Sequence, residues 1–150
     1  MDAPRLDRLT ALLEGLSPKV TLATKPDGFS LHIIKTGTSD HPTDSFSGIQ
    51  QDALSLLVCP AASYFENLLQ ADQQCCMSFD VVFDGPMGPS FLAEQSKPIS
   101  IVMKDADPSL VQVMMLIANE MQASRCGQPF FMNRAGDILL VSLMRHRSEE

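Results

Sequence analysis

Apolar residues recur at two different spacings along the chain, and the change between them divides it. Between Asp107 and His146 the spacing is helical. Asp107-Pro108 is a helix start, a capping carboxylate followed by proline at the first helical position. Downstream, Leu110, Val113, Met114, Ile117 and Met121 form one stripe, and Val111, Met115 and Ala118 a second. Gly127 is placed to end this helix in a left-handed cap. A second helix opens at Gln128-Pro129 and carries Phe131, Ala135, Ile138, Leu139 and Ser142 on one face. It ends on Arg145, His146 and Arg147, whose charge suits a helix C-terminus. Two helices with apolar residues on more than one face need two surfaces to bury against. A β-domain supplies one and a second copy of the hairpin the other, so Val111, Met114, Met115, Ala118, Met121 and Gln122 are expected at a homodimer interface. Residues 3–16 predict another helix, capped by Asp2, with Leu6, Leu9, Leu12, Leu13 and Leu16 on a single stripe that stops at Ser17-Pro18.

From Lys19 to about Met103 the helical period gives way to short β-branched and aromatic runs separated by turn residues. Strands are predicted at 20–23, 29–35, 47–50, 54–58, 64–69, 75–83 and 99–103. In the second, Phe29, Leu31 and Ile33 share one side while Ser30, His32 and Ile34 share the other. Lys25-Pro26-Asp27-Gly28 is a turn, because proline presets φ and glycine accepts positive φ. Pro60 demotes whatever continues from the 54–58 strand to an edge. Asp84-Gly85-Pro86 with Gly88-Pro89 reads as a loop. Strands that all precede the helical hairpin point to an antiparallel sandwich or small barrel with appended helices.

Composition narrows the function. With 45% hydrophobic and 19% charged residues the chain is globular, and its net charge of -7 repels phosphate backbones and anionic membranes. Direct nucleic-acid binding is therefore not expected. No apolar run approaches the ~20 residues of a membrane span, and the N-terminus lacks a signal-peptide layout, so a cytoplasmic location is expected. Cys59, Cys75, Cys76 and Cys126 show no paired CxxC spacing and are expected to be reduced and packed as small hydrophobes. Vicinal Cys75 and Cys76 should point to opposite faces of a strand, which makes a bond between them strained. A strand-borne metal site wants two histidines one residue apart, yet His32, His41 and His146 are scattered. Asp40, Asp44 and Asp52 sit in turn-prone sequence, where aspartate bonds its local backbone. No metal, cofactor or catalytic residue is expected. Nine methionines suit an irregular pocket or an exchangeable interface as well as ordinary core filling.

Several runs resemble one family in order and spacing. They are Asp52-Ala-Leu-Ser-Leu-Leu-Val-Cys-Pro60, Cys75-Cys-Met-Ser-Phe-Asp-Val-Val-Phe-Asp-Gly-Pro86, Pro98-Ile-Ser-Ile-Val102 and, in the hairpin, Arg125-Cys126-Gly127, Asn133-Arg134, Ile138-Leu-Leu-Val141 and Leu143-Met-Arg-His146. Together they resemble the effector-binding region of AraC-type bacterial transcription regulators whose N-terminal half is a cupin domain. The resemblance implies an α+β, mostly β fold: a cupin-like antiparallel β-barrel with an N-terminal helix and a C-terminal two-helix hairpin. It implies one regulatory domain over 1–150, with the N-terminal helix in 1–18, the barrel in 19–104 and the dimerisation hairpin in 105–147. An apolar pocket for an unknown small-molecule effector is expected among Phe29, Leu31, Ile33, Leu56, Val58, Tyr64, Met77 and Phe79. The implied function is ligand sensing and homodimerisation rather than catalysis, with DNA contacted through a helix-turn-helix half that this sequence does not contain. Two departures stand out: Ala61-Ala-Ser-Tyr64 replaces the histidine usual in the family, and the first strand lacks the cysteine that oxidant sensors of the subgroup use. A small cupin enzyme, an isomerase or dioxygenase, is the alternative, as is a stand-alone modulator that pairs with a full-length regulator.

Overall fold

The structure, a computed structural model, describes residues 3–24, 28–37, 53–61, 68–95, 97–121 and 126–148. Five of the apolar runs become strands: β1 (Pro18–Leu22), β2 (Ser30–Thr36), β3 (Leu54–Cys59), β4 (Gln73–Phe83) and β5 (Ile99–Val102). Among the described residues they form one antiparallel sheet in the order β1-β4-β2-β3-β5. Side-chain alternation fixes its register, since a slip of one residue would turn every apolar side chain to the wrong face. Leu31 pairs with Val58 and Phe79, and Ile33 with Leu56 and Met77, which builds an apolar row across one face. On the other face His32 pairs with Leu57 and Ser78, and Ser30 with Cys59 and Asp80.

One irregularity in that ladder redirects a side chain. Ile33 pairs with Met77 while the next residue, Ile34, pairs with Cys75, so Cys76 is the extra residue of a bulge. Strict alternation would place Cys75 on the same face as Met77. Instead Cys75 joins Ile34, Leu57 and Cys59 in a small cluster on the His32 face, while Cys76 packs against the main core. The two vicinal thiols do point apart, as expected, but the bulge decides which goes where.

Among the described residues four α-helices accompany the sheet: α1 (Ala3–Leu16), α2 (Gly88–Glu94), α3 (Pro108–Glu120) and α4 (Gln128–Ser148). Asp107 caps α3 by accepting from the Ser109 N–H at 3.0 Å, with Pro108 opening the helix. Gly127 is left-handed at φ 76°, though it precedes α4, where its carbonyl accepts from the Phe131 N–H, rather than directly ending α3. The last carbonyls of α1 are satisfied by a neighbouring loop: those of Gly15, Leu16 and Ser17 accept from Met87, Gly85 and Asp84. That approach needs a glycine, because a Cβ on Gly85 would overlap the Gly15 carbonyl. Where the Gly88-Pro89 sequence predicts a loop, the short helix α2 forms instead. Its Phe91 meets Phe83 edge-on at 5.1 Å and the tilted Phe29 ring at 6.2 Å, and this aromatic trio outweighs the turn signal.

The C-terminal helices cover the apolar face of the sheet. Met114 and Ile117 of α3 and Met132, Leu139, Leu140 and Leu143 of α4 form one core with Leu31, Ile33, Leu56 and Phe79. At the contact of α4 with β1 and β4, Gly136 lies against Val20 and the Phe79 ring. This contact corrects the expected face of α4. Ala135, Leu139 and Ser142 are buried as predicted, but Phe131 and Ile138 are exposed and Met132, Leu140 and Leu143 take their place. Because α4 is apolar around much of its circumference, periodicity does not choose its rotation; the close approach at Gly136 does. The expected strand at 47–50 and most of that at 64–69 lie outside the described residues. No helix among those residues is long and apolar enough to cross a membrane. The result is an α+β fold dominated by its sheet.

Candidate functional site

A row of polar side chains lies buried on the sheet face that turns away from α3 and α4. Alternation along β2 puts Ser30 and His32 there, and β4 adds Ser78 from the register opposite His32. Both imidazole nitrogens are engaged: Nε2 lies 2.8 Å from Ser30 Oγ and Nδ1 2.7 Å from Ser78 Oγ. Ser78 Oγ is also 3.3 Å from Cys75 Sγ, and the Cys75 thiol donates to the Met77 carbonyl at 3.7 Å. The chain Ser30, His32, Ser78, Cys75 is therefore continuous and exists only because the bulge turned Cys75 to this side. Among the described residues no buried side-chain nitrogen or oxygen lacks a hydrogen-bond partner.

Burial sets the charge state of this row. His32 is fully buried, and desolvation lowers its pKa from 6.5 to about 4. It is neutral at pH 7, so one ring nitrogen donates and the other accepts. Desolvation, with Cys75 nearby, pushes the Cys59 thiol up to about 11, and the same two causes push Cys76 up to about 11. Cys75 is also raised, chiefly by burial. Thiols in this state are poor nucleophiles at neutral pH, which argues against an activated cysteine.

The row reaches the surface at one end. β1 parts from β4 after the Ala23 N–H donates to the Ser78 carbonyl at 3.0 Å. Beyond that bond lies a cleft of about 430 Å³, open to solvent and lined by Leu22, Ala23, Thr24, Cys75, Cys76, Met77 and Ser78. None of these seven residues is charged, and three of them carry sulfur. Sequence reasoning missed this cleft. Its only local signals were the vicinal cysteines, and a bulge is a property of the paired strands rather than of either one.

One comparison with known proteins bears on this architecture. A cupin family profile matches residues 32–149, from His32 in β2 to beyond the end of α4. The chain belongs to the cupin family. No curated protein and no solved structure gives a significant match.

In this cupin the residues expected to line a pocket divide three ways. Phe29, Leu31, Ile33, Leu56, Val58 and Phe79 are buried in the main core, which includes residues of α3 and α4. Met77 lines the cleft, and Tyr64 lies outside the described residues. At these positions side chains of the helices, rather than open space, face the sheet: Phe29 meets Phe91 of α2, and the others share one core with α3 and α4. Among the described residues no three His, Cys, Asp or Glu side chains are grouped to hold an ion, and His32 has serine hydroxyls at both nitrogens. His146 is distant in role, its Nδ1 accepting from the Asp107 N–H at 3.3 Å, and His41 lies outside the described residues.

Proposed function

We propose that this cupin domain is the ligand-sensing and dimerisation unit of an AraC-type transcription regulator, with DNA contacted by a separate helix-turn-helix half. The observation that carries the reading is the apolar outer face of the hairpin that resembles that family. Phe130 is 70% exposed, Ile138 51% and Phe131 36%, and Leu116 of α3 is 46% exposed. Large apolar side chains grouped this way mark an interaction surface, and they amount to a few hundred Å² of the ~800 Å² that each partner commits to a stable interface.

The interface differs from the one that periodicity predicts. Val111, Met114 and Ala118 belong to the core within one protomer, Met115 and Met121 are half-buried, and Gln122 lies outside the described residues. The sheet claims the stripe of α3 that looked most available. What remains is the stripe of α4 running through Phe130, Phe131, Arg134, Asp137 and Ile138. Arg134 bonds Asp137 at 3.1 Å one turn along and lies over the Phe130 ring at 5.3 Å. Two α4 helices crossing antiparallel about a two-fold axis between these charges would set each Arg134 opposite the partner's Asp137, with apolar residues on either side. Such a surface is complementary to itself.

Sedimentation velocity tests the reading. The protein is expected to be dimeric at micromolar concentration, and the double variant Phe131→Glu, Ile138→Glu is expected to be a folded monomer with unchanged far-UV circular dichroism. A monomeric parent protein, or a variant that stays dimeric, overturns the interface. In the whole regulator, the same substitutions should abolish binding to paired half-sites while leaving single half-site binding measurable.

A further inference from the structure

We infer that the cleft at the mouth of β1 and β4 is the effector site, that it takes a small uncharged molecule with an apolar body and one hydroxyl or carbonyl group, and that its occupancy is communicated to α4 through the hydrogen bond between Leu22 and Asn133. The inference rests on the sensing function proposed above and supplies the site, the ligand class and the link to the dimer face.

The ligand class follows from the walls. A volume of about 430 Å³ lies within the range of small-molecule sites. Leu22 and Met77 provide apolar contact, and the polarisable sulfurs of Met77, Cys75 and Cys76 suit the edge of a ring or an alkyl chain. A carboxylate, phosphate or ammonium would find no opposite charge among the described residues of the lining, and leaving water without a partner is costly for an ion. Lys35 approaches Cys76 from β2 but does not line the cleft. The thiols, held protonated by burial, add no charge of their own. For the single polar group of the ligand, Ser78 is the reader: it is 9% exposed, lines the cleft, and has its Oγ positioned 2.7 Å from His32 Nδ1. An oriented buried hydroxyl discriminates strongly between a molecule that can bond it and one that cannot.

The link to α4 is a direct bond. Leu22, the last residue of β1, forms one wall of the cleft, and its N–H donates to Asn133 Oδ1 at 2.8 Å. Asn133 sits on α4 between buried Met132 and Arg134 of the outer stripe. A molecule that wedges Leu22 away from Met77 therefore pulls on the helix that carries the proposed dimer face. Only a difference in affinity between two positions of β1 can drive such a response, and β1 is an edge strand that α4 touches both through this bond and where Gly136 meets Val20.

The experiment uses three probes of nearly equal shape, benzyl alcohol, benzoate and benzylamine, titrated into nitrogen-15 labelled full chain and followed by amide chemical shifts. Benzyl alcohol is expected to shift the amides of Leu22 to Thr24 and Cys75 to Ser78, with smaller shifts at Asn133 and Arg134. Benzoate and benzylamine are expected to bind at least tenfold more weakly. Thr24→Trp, an exposed position whose indole would fill the cleft, is expected to remove the shifts; Leu22→Trp serves on the opposite wall should that variant fail to fold. Asn133→Ala is expected to keep the shifts in the cleft and lose those on α4. No shifts in the cleft with any probe, equal binding of the charged probes, or a response that persists when the cleft is filled overturns the site. A response on α4 that survives Asn133→Ala overturns the link. These readouts are independent of sedimentation, so failure here leaves the dimer face standing, and failure of the dimer leaves the cleft standing.

Discussion

Gly136→Val is expected to destabilise the domain by about 3 kcal/mol and to lower its melting temperature by roughly 10 °C. A Cβ at position 136 would come within 2.7 Å of Val20 Cγ1 and 2.9 Å of the Phe79 ring, closer than real Cβ atoms approach their neighbours. Replacing a helical glycine ordinarily gains about 1 kcal/mol of helix propensity with alanine and less with a β-branched residue. Here that gain meets a wall, because Val20 and Phe79 are themselves buried, 2% and 0% exposed, in the layer that α4 covers. The helix must move outward by the width of a side chain, or the core around Phe79 must open. Urea denaturation of Gly136→Val beside Arg134→Val, a control on the exposed side of the same helix, checks this. Similar midpoints for the two variants would mean that α4 does not sit on β1 and β4 at Gly136.

The second large effect is expected on acidification. An unfolded chain protonates His32 near pH 6.5, whereas the buried imidazole refuses the proton until about pH 4. Between these values the unfolded state binds more protons, so stability is fully present above pH 6.5 and is lost progressively as the pH falls toward 4. The loss amounts to at most about 3 kcal/mol. Its source is burial of a ring whose two nitrogens already hold Ser30 and Ser78, so protonation must replace one accepted bond with a second donated one. His32→Gln is expected to cost about 1–3 kcal/mol at neutral pH, through imperfect replacement of those bonds, and to flatten the dependence between pH 6.5 and 4. Denaturation midpoints of both proteins at pH 7, 5.5 and 4.5 measure the difference. Equal slopes would place the acid sensitivity elsewhere.

Much of the fold is legible in the residues themselves. Alternation in 29–35 and 75–83 carries β2 and β4, and the Asp107-Pro108 start of α3 is where the capping chemistry puts it. These features are local, decided by one strand's pleat or one helix's first turn. The face of α4 is not local. Its sequence offers apolar residues around most of the helix, and only the contact at Gly136 determines that Leu140 and Leu143 go inward while Phe131 and Ile138 remain outside. The same competition moves the proposed interface off α3, since Val111 and Ala118 are equally suited to a partner helix or to the sheet, and the sheet belongs to the same chain.

The polar row illustrates the division most clearly. That Ser30 and His32 share a strand face follows from a period of two, but that Ser78 meets the imidazole depends on β2 and β4 pairing in one register, with Cys76 as the extra residue. By itself the sequence determined the kinds of most elements, α2 excepted, many of their limits, the net negative charge and the cupin-like mixture of sheet and helices. Tertiary structure alone decided which faces are covered, where the cleft opens and which thiol joins the histidine. The reason is physical: propensity and periodicity act within a few residues, whereas burial and register are settled between segments far apart in the chain.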